Sequence, residues 1–105
     1  MSEAQDKTAA LLAALWIKIR PIVEERIKTL DRAAAAAAHG SLTNELRAEG
    51  RSSAHNLAGS LGMYGYDEGT RLARELEQLL DSGSSDAARI RGLIAELRAA
   101  VFPEQ

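Results

Sequence analysis

Apolar residues recur every three or four positions along most of the chain, the period of an α-helix that buries one face. In the first stretch Leu12, Trp16, Ile19, Val23, Ile27, Leu30, Ala34 and Ala37 keep that phase, predicting helix over residues 7–38. Pro21 falls inside it. Proline has no amide hydrogen to donate and crowds the preceding turn. The unbroken phase therefore predicts a bend near Pro21, or a short helix leading directly into a longer one. The alanine run Ala33–Ala38 favours helix and permits close approach of a neighbour. His39-Gly40 then reads as a helix end, with Gly40 in the left-handed cap position.

A second helix is expected over 43–64, with Thr43 as N-cap, Glu45 in the first turn and Leu46, Ala54, Leu57 and Leu61 facing inward. Gly65 closes it. A third, over 67–81, carries Leu72, Leu76, Leu79 and Leu80, with Asp67 as the expected cap. After the turn Asp81-Ser82-Gly83-Ser84-Ser85, a fourth runs over 85–101 on Ile90, Leu93, Ile94, Leu97 and Val101 and stops at Phe102-Pro103. No β-hairpin signal intervenes. Short connections between long amphipathic helices favour antiparallel neighbours. The predicted fold is all-α, an up-down-up-down four-helix bundle with an N-terminal helical extension, in one domain over 1–105.

Composition narrows the chemistry. With no cysteine among 105 residues, disulfides, thiol catalysis and Cys-ligated zinc are excluded. A formal net charge of −2 and no basic stripe argue against nucleic-acid binding. No apolar run approaches the roughly 20 residues that span a bilayer. Ser2-Glu3-Ala4-Gln5-Asp6 is polar where a leader would be basic. A cytoplasmic protein is the expectation, with no membrane partner.

The distinctive segment is Ala54-His55-Asn56-Leu57-Ala58-Gly59-Ser60-Leu61-Gly62-Met63-Tyr64-Gly65. At ~100° per residue, Arg51, Ser52, Ala58, Gly59 and Gly62 lie on the side of His55. Ala54, Leu57, Leu61 and Tyr64 form the opposite, core-facing stripe. An interior glycine costs a helix about 1 kcal/mol relative to alanine. Close approach of another molecule to His55 is the reason this pattern offers for Gly59 and Gly62; tight packing inside the bundle is the alternative. No His, Asp or Glu stands three or four positions from His55, so a metal site is not expected. His39, at a helix end that favours a partly charged imidazole, lacks such a face. Arg51 lies one turn before His55, where its guanidinium can reach an anion, the plain alternative being a solvated surface arginine. Arg71 and Arg74 follow on the next helix, with directions that depend on packing.

Ala54, His55, Leu57, Gly59, Ser60 and Gly65, followed by Leu76-Glu77, resemble the signature of the histidine phosphotransfer (HPt) family. The family's usual lysine, three residues after the histidine, is Ala58 here. The resemblance implies that His55 accepts a phosphoryl group from the aspartate of a receiver domain and passes it to another. The partners implied are receivers of response regulators or of hybrid histidine kinases. It implies a docking surface of Ser52, Asn56, Gly59, Ser60, Gly62 and Met63, and it makes Arg51 the natural substitute for the lysine. No cofactor is expected on this chain, Mg²⁺ belonging to the receiver. A neutral imidazole suits this chemistry near pH 7. The chain has no Gly-rich nucleotide loop, Walker lysine or aspartate cluster, so it is expected to be a carrier without kinase activity. The alternative is a helical adaptor that docks receivers, or other partners, without accepting phosphate.

Overall fold

The computed structural model describes residues 3–104, leaving the terminal residues 1, 2 and 105 of the expected domain outside. Four helices, α1 (Glu3–Ala38), α2 (Asn44–Leu61), α3 (Asp67–Asp81) and α4 (Ala87–Val101), are joined by short turns, one of them a 3₁₀ turn at Gly62–Tyr64. No strand occurs among the described residues.

α1 begins at Glu3, ahead of the expected start, and runs through Pro21 as one uninterrupted helix. Pro21 is exposed, and Ile17, whose carbonyl loses its usual donor, is 73% exposed. Water can satisfy that carbonyl, so the proline is tolerated where a buried one would break the helix. Gly40 adopts φ 67°, and Ser41 N–H closes the end on Ala36 O at 2.8 Å. Thr43 Oγ1 accepts from Leu46 N–H at 3.1 Å, capping α2. The last turn of the second helical segment tightens to 3₁₀ before Gly65, at φ 85°, ends it.

Asp67 is not the cap of α3. Tyr66 holds that position without a side-chain bond, and Asp67 is the first helical residue. The entry is set instead by Gly65 and by the Tyr66 ring, which packs 4.8 Å from Trp16. Asp67 and Glu68 still place negative charge on the helix N-terminus. α4 starts at Ala87, later than expected, because Asp86 caps it by accepting from Arg89 N–H at 3.1 Å.

Each helix packs on its chain neighbours, and α1 also packs on α4. The pairings run antiparallel. Arg98 of α4 reaches Asp31 and Glu24 of α1 at 2.9 and 2.8 Å, while Arg20 near the other end of that pair bonds Glu104. Gly50 of α2 lets α1 approach: a Cβ there would stand 3.2 Å from Leu80 and 3.4 Å from Ala33. The core is filled by Ile27, Leu30, Leu57, Leu61, Leu72, Leu76, Leu80, Ile90 and Leu97, all essentially inaccessible. Each such burial contributes about 1.5–3 kcal/mol before conformational entropy is counted. Trp16 closes one end against Tyr64, Tyr66 and Phe102. Residues 3–11 of α1 are exposed.

Candidate functional site

His55 stands on α2 with its core neighbours Ala54 and Leu57 fully buried and its own side chain 70% exposed. The amphipathic phase of α2 dictates this: anchoring Leu57 and Leu61 in the core turns His55 to the rim. α3 runs antiparallel along the same rim. Three pairs mark the seam between them: Arg51 with Asp81 at 3.8 Å, His55 with Glu77 at 2.7 Å, and Gly62 with Thr70, whose Oγ1 would lie 3.5 Å from a Cβ at Gly62.

The His55–Glu77 contact decides the chemistry of the ring. The bond joins Nδ1 to Glu77 Oε2. An ionised carboxylate only accepts, so Nδ1 carries the hydrogen and donates it. In the neutral ring the lone pair then sits on Nε2, on a side chain open to solvent. Glu77, only 25% exposed, is held more firmly than a free surface carboxylate. Sequence reasoning noted Leu76-Glu77 as part of a motif but did not assign Glu77 to the site. The i, i+1 pairing of a core leucine with a rim glutamate was the available signal.

The residues expected around His55 differ in exposure. Ser52, Asn56, Gly59, Gly62 and Met63 are exposed, Met63 at 63%. Ser60 is half-buried, and its hydroxyl donates back to Asn56 O at 3.0 Å. Ala58, expected on the open face, is 9% exposed. The correction has a simple cause: α3 packs along that edge of α2, and a wheel drawn for one helix does not know where its neighbour lies. A Cβ added at Gly59 would meet nothing within 4 Å, and one at Gly62 would make only an ordinary contact. Neither glycine is required by packing inside this chain, in contrast to Gly50 and to Gly69, where a Cβ would press on Val101 at 3.0 Å.

Arg51 is 45% exposed and pairs loosely with Asp81. Arg71 is occupied on its own helix by Glu68 and by Glu75, the latter at 2.6 Å. Hydrogen bonding from Arg71 holds the Glu68 carboxyl below the usual carboxylate range. His39 is exposed beyond the end of α1, and its ring makes no hydrogen bond or ion pair among the described residues. No group of three or more His, Cys, Asp or Glu suited to a metal occurs among the described residues. None of the described helices is long and apolar enough to cross a membrane.

The arrangement offers a solvent-facing imidazole nitrogen, an oriented ring and a bare approach. Beside it lies a shallow cavity of about 440 Å³ lined by Thr29, Ala48, Glu49, Ser52 and Ser53. No curated protein and no solved structure matches the chain. The family model of the Hpt domain does, over residues 4–101. That match takes in all four helices and the His55 seam, and the chain belongs to the Hpt domain family, whose members carry phosphoryl groups in two-component phosphorelays.

Proposed function

We propose that this chain is a phosphoryl carrier in which Nε2 of His55 takes a phosphoryl group from the aspartate of one receiver domain and yields it to another. One observation carries the reading: an exposed histidine whose Nδ1 is committed to Glu77, on a face where Gly59 has no packing role.

The step balances without a further reactant. The Nε2 lone pair attacks phosphorus, the P–O bond to the receiver aspartate breaks, and that carboxylate leaves with the bonding electrons. The ring keeps its Nδ1 proton, becomes positive, and is stabilised by the Glu77 carboxylate. Reversal delivers the group to the next aspartate. Phosphoryl transfer demands in-line access and charge compensation more than acid–base chemistry. The bare surface of Ser52, Asn56, Gly59, Ser60, Gly62 and Met63 supplies access and docking, and Arg51 supplies part of the charge. Mg²⁺ belongs to the receiver, in whose acidic pocket it offsets the phosphoryl charge. The chain requires no cofactor of its own and acts in the cytoplasm.

Incubation with a phosphorylated receiver tests this reading. The protein should gain acid-labile, base-stable phosphate, and His55→Gln should gain none while keeping its helical circular dichroism. A folded parent protein that binds receivers yet never acquires phosphate would favour the adaptor reading instead.

A further inference from the structure

A phosphoryl group on Nε2 of His55 brings up to two negative charges beside the carboxylate that holds the same ring. The positive ring offsets part of that repulsion, and a cation close by relieves the rest. Along the seam each step forward on α2, from Arg51 to His55 to Gly62, is matched by an equal step back on α3, from Asp81 to Glu77 to Thr70. The rung between His55 and Gly62 therefore pairs Ala58 with Arg74. On each helix that rung is one turn from the His55–Glu77 pair, where Cβ atoms are ~5–6 Å apart.

The other arginines near the seam are engaged. Arg51 pairs with Asp81, Arg71 with Glu68 and Glu75, and Arg47 donates to Leu80 O and Ser84 O at 3.0 and 2.6 Å. Arg74 is exposed and has no hydrogen-bond or ion-pair partner among the described residues. Ala58 opposite it is buried while the adjacent Gly59 is open.

We propose that Arg74 is the principal counter-charge of phosphorylated His55, acting from α3 across the small side chain of Ala58. The proposal rests on the carrier reading above. Helical side chains lean toward their own N-terminus, which directs a resting Arg74 along the seam toward Thr70. The dianion draws the guanidinium back toward His55, where it can pair with phosphate oxygens. That swing breaks no existing ion pair, whereas recruiting Arg51 costs its pairing with Asp81. Ala58 matters because a larger residue there would fill the path.

The test uses the whole chain, phosphorylated with phosphoramidate and followed by ³¹P NMR as pH is varied. A nearby cation favours the dianion and lowers the titration midpoint of the phosphoryl group. Arg74→Ala should raise that midpoint by roughly 0.3–0.7 pH unit, the two- to fivefold effect of one exposed ion pair. The difference should shrink as salt rises. Arg74→Lys should keep most of the effect, and Ala58→Lys should restore it in the Arg74→Ala background. Unchanged circular dichroism shows that the fold is not the cause. A midpoint that does not move in labelled Arg74→Ala protein overturns this proposal alone. A parent protein that takes up no phosphoryl group at His55 overturns the carrier reading and this proposal with it.

Discussion

At the scale of single residues, the proposed transfer depends on how Glu77 holds the His55 imidazole. The carboxylate takes Nδ1 at 2.7 Å, and the exposed ring leaves Nε2 for chemistry. Glu77→Gln preserves an acceptor oxygen but removes the charge that stabilises the phosphorylated, positive ring. Glu77→Ala removes both. Transfer from a phosphorylated receiver should therefore fall in the order parent, Glu77→Gln, Glu77→Ala, with the alanine variant about tenfold slower, or ~1.4 kcal/mol in barrier. Equal rates for all three would remove Glu77 from the mechanism. His39→Gln should leave labelling intact, since that ring has no oriented partner and no bare face. Arg51→Ala should slow transfer by a smaller factor at low salt, read in the same assay; parent-like transfer there would leave Arg51 with only its bond to Asp81. The exposed position of His55 was legible in the sequence because its immediate neighbours are small and its motif is local. Its orienting partner was less so. Glu77 lies on another helix, and its direction depends on how α3 is rotated against α2.

Among the helices, α2 separates stability from access on its two faces. Leu57 is fully buried, so Leu57→Ala should cost roughly 2–5 kcal/mol through the cavity it leaves. Thermal or denaturant unfolding reads that loss directly. Gly59 faces open space, so Gly59→Leu should gain roughly 0.5–1 kcal/mol in helix propensity yet obstruct a docking receiver. Stability that holds while transfer falls steeply is the expected pair of results; normal transfer by the folded variant would contradict the access role of this glycine. At the start of α3, hydrogen bonding from Arg71 lowers the Glu68 pKa. A carboxylate with a depressed folded pKa stabilises the fold above its unfolded pKa and loses that contribution as pH falls through the folded value. Arg71→Ala should shift the NMR titration of Glu68 upward and make the α3 N-terminus less sensitive to acid. The periodic apolar stripes made these helices readable from sequence, as did Thr43 and Gly40 at their ends. Asp67 misled because acidic residues serve both as caps and as first-turn residues, and the aromatic packing of Tyr66 on Trp16 chose between those roles.

For the whole molecule, the bundle turns the seam between α2 and α3 outward. Arg98 ties α4 to Glu24 and Asp31 of α1, and its half-buried guanidinium keeps a raised pKa although burial alone would lower it. Arg47 ties α2 to the end of α3 through Leu80 O and Ser84 O. These long-range contacts were not legible along the chain, because local periodicity does not reveal which charged residues meet after packing. Ala58 shows the same limit: its wheel position suggested an open face, and the neighbouring helix closed it. What the packing leaves open is the strip from Arg51 to Met63, with His55 on it. The most direct test of the whole account is the site of phosphorylation at atomic resolution. A ¹H–¹⁵N–³¹P correlation on protein labelled by a phosphorylated receiver should show phosphorus coupled to Nε2 of His55, with Nδ1 still protonated. Phosphorus on Nδ1, on His39, or on no histidine at all would contradict it.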